Sequence, residues 1–124
     1  MYELRVRADF AAAHFLRDFH GRCENLHGHN YAVYAHVRGE TLGEGGMVAD
    51  FGVIKQCLRE VCAALDHTCL NDMAVFEQNP SAERIARHIF EGLEDALGER
   101  GVRGLFAVDV FETPENRARY LGKR

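Results

Sequence analysis

The 124-residue chain carries 15 Lys and Arg against 19 Asp and Glu, a net charge of −4 with neutral histidines, which gives no support for a nucleic-acid surface. Its length and its 47% apolar, 27% charged composition suit one globular domain, residues 1–124, with one core. No run approaches a membrane span and the first residues lack a signal peptide's apolar stretch; the four cysteines (23, 57, 62 and 69) form no CxxC, so reduced thiols in a cytoplasmic protein are expected.

Residues 2–14 alternate, with Leu4, Val6, Ala8, Phe10, Ala12 and His14 on one face and Arg5, Arg7 and Asp9 on the other, the pattern of a half-buried strand. Residues 16–25 read as a polar loop. Alternation resumes over 27–38, where His27, His29, Tyr31, Val33, Ala35 and Val37 share a face. After a turn at 39–46, Asp50 is placed to cap a helix from Phe51 to about Asp66, with Ile54, Leu58, Val61 and Leu65 as its apolar stripe. A loop over 67–80 follows. Ser81 caps a second helix striped by Ile85, Ile89, Leu93 and Leu97 and ended by Gly98 or Gly101. Residues 102–112 form a third strand, Thr113–Asn116 a turn, and 117–121 a short last strand. The order ββααββ is an α+β layout.

The chemistry-bearing residues gather at the strand ends. His27 and His29 are two apart and so point the same way, and His14 ends the apolar face of the other long strand. Paired antiparallel, the two strands bring three imidazoles together, the donor set of an open catalytic zinc site. The competing reading is strand-end histidines bonded to backbone. Cys23, four residues before His27, is either a base or nucleophile beside a metal, a fourth ligand closing the site, or an ordinary loop cysteine. Asp66-His67 is an acid/base pair if the neighbouring side chains meet; on residues alone a helix-terminal cap is the simpler reading. Glu112 ends a strand's apolar face, where it either emerges into solvent or pairs with a planar ligand offering two parallel N–H donors. Glu83 suits a helix first turn. Cys57 and Cys62 read as packing residues. His20, His36 and His88 show no grouping.

Together these residues resemble the 6-pyruvoyltetrahydropterin synthase / 6-carboxytetrahydropterin synthase family. The resemblance runs through Phe10-Ala11-Ala12-Ala13-His14, Cys23-Glu24-Asn25-Leu26-His27-Gly28-His29-Asn30-Tyr31, Met47-Val48-Ala49-Asp50-Phe51, Leu65-Asp66-His67, Leu70-Asn71-Asp72, Asn79-Pro80-Ser81-Ala82-Glu83 and Phe111-Glu112-Thr113. It implies the tunnelling fold: a four-stranded antiparallel sheet with two helices on one face, assembled through sheet edges into an oligomeric barrel, commonly a hexamer made of two trimers, with active sites between subunits. It implies zinc held by His14, His27 and His29, a catalytic Cys23 completed by Asp66 and His67, and a pterin ring anchored by Glu112, with Ser81 and Glu83 in the pocket. Ala82 lacks the hydroxyl usual at its position.

The implied substrate is 7,8-dihydroneopterin triphosphate, a small molecule; neither nucleic acid nor membrane is implied as a partner. The bacterial branch, a lyase activity, yields 6-carboxy-5,6,7,8-tetrahydropterin, acetaldehyde and triphosphate on the route to queuosine and other 7-deazapurines. The animal-type branch gives 6-pyruvoyltetrahydropterin. The C-x-x-x-H-G-H spacing of Cys23 resembles the bacterial form. Glu24 also fits the E-x-x-H-G-H motif of a folate-branch subgroup that makes 6-hydroxymethyldihydropterin. It is an alternative base or a solvent-facing loop carboxylate.

Overall fold

A computed structural model describes residues 1–16 and 25–122. Two long strands, β1 (Tyr2–His14) and β2 (His27–Gly39), pair antiparallel in unbroken register from Tyr2 opposite Gly39 to His14 opposite His27. β2 also pairs antiparallel with β4 (Leu105–Thr113), which pairs with β5 (Asn116–Leu121). The expected alternation is what sorts the faces. Val6, Ala8, Phe10, Ala12, Tyr31, Val33, Ala35, Val37, Val108 and Val110 are buried in one cluster with the helix stripes, whereas Arg5 and Arg7 lie on the helix-free face over the Tyr34 ring.

α1 (Phe51–Ala63) starts as expected, with the Asp50 carboxylate accepting from the Gly52 N–H at 2.7 Å. It ends earlier than expected: the chain turns after Ala63, which frees Asp66 to leave the helix axis. Ile54, Leu58 and Leu65 are buried, Val61 partly so, and Cys57 and Cys62 pack into the same core. α2 (Ala82–Glu99) is capped by Ser81, whose Oγ accepts from the Arg84 N–H at 3.2 Å, and its whole predicted stripe is buried. Gly98 lies inside the helix. Gly101, with a positive φ of 75°, follows the cap residue Arg100 and turns the chain away.

Two differences from the expected layout have local causes. β4 begins at Leu105 rather than 102 because Gly104 takes a positive φ of 98° with its Cα against the Arg38 carbonyl, where no side chain fits. The sheet has five strands, in the order β3-β1-β2-β4-β5, because residues expected as loop contribute β3 (Thr68–Cys69), parallel to Ala12 and Ala13 of β1. Two residues carry no periodicity to read. What holds β3 is the backbone just before it, where the His67 N–H donates to the Ala11 carbonyl at 2.6 Å. Among the described residues no helix is long and apolar enough to cross a membrane.

Candidate metal centre

The β1–β2 register makes His14 and His27 cross-strand partners, and His29 lies two residues further on the same face. Their ligand-capable nitrogens all lie within 4.8 Å of one another. His14 is buried at 2% exposure, and the other two are half-buried. The orientation of two rings is fixed by carbonyls. His14 Nδ1 donates to the Pro80 carbonyl at 2.9 Å and His27 Nδ1 to the Asn25 carbonyl at 2.6 Å. A carbonyl only accepts, so each neutral ring carries its proton on Nδ1 and presents a lone pair at Nε2. Those two Nε2 atoms stand 3.0 Å apart. Two lone pairs at that distance repel unless a proton or a cation lies between them. The donor set therefore fits a metal ion, and imidazole suits zinc among the common ones. Burial, helped by the neighbouring His14 and His27, holds His29 below the usual histidine range against the opposing charge of Glu112, so it too is ready as a neutral ligand.

Glu112, on β4, faces this cluster. Its two carboxylate oxygens lie 4.0 Å from His14 Nε2 and 3.8 Å from His29 Nε2, beyond hydrogen-bond range. It also lines, with Glu83, Arg117 and Arg119, a cavity of about 440 Å³ at the β5 edge. Ser81 does not line that cavity; its hydroxyl is used as the α2 cap.

Asp66 and His67 do meet, although the residues alone favoured a cap. Asp66 Oδ1 accepts from His67 Nδ1 at 3.0 Å and from the Ala11 N–H at 2.8 Å. His67 takes a left-handed φ of 58°, which turns its side chain back toward its own neighbour. The aspartate thus fixes the proton on Nδ1 and leaves Nε2 outward on a side chain that is 81% exposed. His67 and His29 line one cavity of about 520 Å³, floored by Ala11, Ala13 and Gly28 and flanked by Cys69. Cys23 and Glu24, and the ungrouped His20, lie outside the described residues.

Three features were missed in the sequence. Asn71 is buried, and its amide accepts from the Phe15 N–H at 2.9 Å and donates to the carbonyls of Phe15 and Gln78 at 3.0 and 3.1 Å. It ties the residue after His14 to the loop that ends at Pro80. The Tyr31 ring touches both His14 and His29 edge-on. His36, read as ungrouped, bonds Asp109 at 2.7 Å on the helix-free face, where Arg119 also grips the aspartate at 2.7 and 3.0 Å. Burial alone would raise the Asp109 carboxyl; the bonds and charges of Arg119 and His36 outweigh it and hold it low. His88, also read as ungrouped, packs edge-on against Phe76.

The description 6-pyruvoyl tetrahydropterin synthase belongs to the family profile that matches residues 3–123. A 6-carboxy-5,6,7,8-tetrahydropterin synthase of Synechocystis sp. is 42% identical over 129 aligned residues, covering 100% of this chain and 96% of that protein. Among solved structures, a Caenorhabditis elegans 6-pyruvoyl tetrahydropterin synthase superposes with a TM-score of 0.85 at 30% identity, covering 98% of this chain and 96% of the other. A Plasmodium vivax 6-pyruvoyltetrahydropterin synthase with a catalytic glutamate changed to alanine superposes at a TM-score of 0.76 and 26% identity, covering 96% of each chain. On the match across nearly its whole length, joined to the fold and the histidine cluster, the chain belongs to the 6-pyruvoyl tetrahydropterin synthase family.

Proposed function

We propose that this protein is a zinc-dependent 6-carboxy-5,6,7,8-tetrahydropterin synthase, a lyase that converts 7,8-dihydroneopterin triphosphate to 6-carboxytetrahydropterin, acetaldehyde and triphosphate in 7-deazapurine synthesis. The observation that carries the reading is the pair of carbonyl-locked histidines whose Nε2 lone pairs face each other at 3.0 Å, with His29 beside them. Zinc held by His14, His27 and His29 supplies Lewis acidity toward the substrate's side-chain hydroxyls. Cys23 is assigned as the base that takes the proton from carbon, on the strength of the family resemblance. His67 has the geometry of a proton shuttle: Asp66 holds one nitrogen, and the other is free to give or take a proton. Glu112 is assigned to the ring's N–H donors, with Glu83 in the same cavity. The 42% identity to a protein of the carboxytetrahydropterin type favours this branch over the pyruvoyl one.

Assembly through sheet edges is part of the reading. Beyond Ala11–Ala13, no strand among the described residues pairs with the outer edge of β1, and β5 is the opposite edge. A hexameric barrel closing these edges would give the exposed His67 a second chain to act on.

Incubation of the zinc-loaded protein with dihydroneopterin triphosphate, followed by mass spectrometry, tests the reaction. Carboxytetrahydropterin and acetaldehyde are expected. Cys23→Ala is expected to keep its zinc and lose turnover; loss of the metal instead would make Cys23 a ligand and overturn its role as base. A second reading rests on the Plasmodium vivax relative, in which a glutamate is catalytic. There Glu24 is the base and 6-hydroxymethyldihydropterin a product, alone or beside the first. Identical product ratios from wild type and Glu24→Gln would overturn it.

A further inference from the structure

A cavity of about 430 Å³ lies between the outer edge of β1 and α1. Its charged walls are Arg7 and Asp9 on β1, Lys55 and Arg59 on α1, and Asp66 of the dyad. Three of these five are already engaged. Arg7 pairs with Asp9 at 3.3 Å, and Asp66 accepts from the Ala11 N–H and from His67. Among the described residues, neither Lys55 nor Arg59 pairs with a carboxylate.

The two free cations are one helical turn apart. Each follows a buried residue of the α1 stripe, Ile54 or Leu58, so both lie along one flank of the helix. Like charges at this spacing repel and destabilise a helix. The chain as a whole is acidic, at −4, yet the fold leaves this pair without a counter-charge and lines one cavity with both. Such a wall suits a polyvalent anion, with the Arg59 guanidinium as a fork for phosphate oxygens and the Lys55 ammonium as a point charge beside it.

The place of the cavity points to the ligand. Asp66 is part of its wall, and His67, bonded to Asp66, lines the neighbouring 520 Å³ cavity with His29. Ala8 belongs to the first cavity and Ala11 to the second. At about 3.4 Å per residue the two positions are roughly 10 Å apart along β1, a reach that three linked phosphates cover.

We propose that this cavity is an anion subsite in which Lys55 and Arg59 hold the triphosphate of the substrate, leaving the carbons next to it in front of the dyad. The subsite travels with the dyad, whichever chain supplies the metal. That the triphosphate is carried by a pterin rests on the function proposed above; the capture of a polyphosphate by the two cations does not.

The test compares wild type, Lys55→Gln, Arg59→Gln, the double variant and the control Arg87→Gln, an exposed cation on α2, each as the zinc-loaded full chain. Binding of inorganic triphosphate is measured by calorimetry with magnesium in excess, so that the anion does not strip the zinc. Each single substitution at the subsite should weaken binding about ten-fold and the double about a hundred-fold, the scale of lost charge-assisted bonds. Arg87→Gln should bind like wild type. The double variant should melt no lower than wild type, because it relieves a like-charge repulsion, so lost binding is not lost fold. With dihydroneopterin triphosphate, KM should rise about ten-fold in each single variant at unchanged kcat, the mark of a group that binds ground state and transition state alike. Affinity for unphosphorylated dihydroneopterin should not change. Triphosphate binding unaltered in the double variant, or weakened as much by Arg87→Gln, would overturn the proposal, as would an unchanged KM or no binding by wild type. If triphosphate binds through the two cations and no pterin is turned over, the anion subsite is upheld and the pterin reading alone fails.

Discussion

Asn71 offers the sharpest test of how the fold presents its histidines. The residue lies in a 3₁₀ turn after β3, only 7% exposed, and spends its amide on three backbone groups. Two of these belong to Phe15, the residue after His14, and the third is the carbonyl of Gln78, two residues before Pro80. Pro80 in turn accepts from His14 Nδ1. The side chain therefore fixes both the backbone that carries His14 and the loop that orients its ring. Removing it in Asn71→Ala deletes three hydrogen bonds at about 1 kcal/mol each, or about 3 kcal/mol in all. With an unfolding entropy near 0.26 kcal/mol/K for a chain of this size, the melting temperature should fall by roughly 12 °C. Asn71→Asp keeps the acceptor for the Phe15 N–H but sets a carboxylate against two carbonyl oxygens, so its loss should be at least as large at neutral pH. The metal readout separates orientation from mere stability: well below the melting transition, zinc should bind Asn71→Ala about ten-fold more weakly than wild type, in line with other outer partners of ligating histidines. Calorimetry and chelator competition measure the two effects. A melting temperature within about 3 °C of wild type would refute the hydrogen-bond count, and unchanged zinc affinity in a destabilised protein would refute the link to His14.

Zinc at 100 times its dissociation constant should stabilise the wild type by about 2.7 kcal/mol, a melting shift near 10 °C, and His14→Ala should abolish that shift. Asp109 links stability to pH. Its carboxyl is held below the unfolded value of about 3.9, so its contribution is fully present above that pH and is lost as pH falls through the lower folded value. Asp109→Asn should therefore cost about 3 kcal/mol at pH 7, because it strips a buried partner from Arg119 and His36, and the gap to wild type should narrow below about pH 4 in urea titrations. An equal gap at pH 3 and pH 7 would show that the pairing does not titrate.

The strands, both helices and the three histidines were legible because each depends on side-chain period. His14, His27 and His29 fall on the buried face of their strands, and one antiparallel register brings them together. Helix caps were legible for the same local reason, since Asp50 and Ser81 bond residues two or three positions away. What the pattern missed depends on contacts far apart in sequence. β3 is two residues beside Ala12 and Ala13, set there by His67 bonding Ala11, 56 positions earlier. His36 meets an aspartate 73 residues later, on a face where polar residues look like ordinary solvated ones. Asn71 sits in an aperiodic loop, and nothing in that loop marks it as facing inward. The Asp66-His67 contact turns on one positive φ, which a histidine adopts too seldom to be expected.

The same strand end organises both halves of the candidate site. The dyad hangs on the backbone of Ala11, through Asp66 and the His67 N–H, while the metal ligand His14 lies three residues along β1. At about 3.4 Å per residue the two anchors are roughly 10 Å apart. That spacing admits two arrangements. In one, the dyad and the histidines of a single chain serve one site across the shared 520 Å³ cavity. In the other, the dyad reaches the metal of a neighbouring chain. The 81% exposure of His67 favours the second, since a proton shuttle works best away from bulk water. Mixing two inactive variants separates them. His14→Ala lacks a metal ligand and His67→Ala lacks the shuttle. If sites are shared across a heterologous interface, random reassembly pairs an intact metal half with an intact dyad in about a quarter of all sites, so a 1:1 mixture should regain about a quarter of wild-type activity. If each site is built within one chain, the mixture stays as inactive as its components, and the intersubunit reading fails.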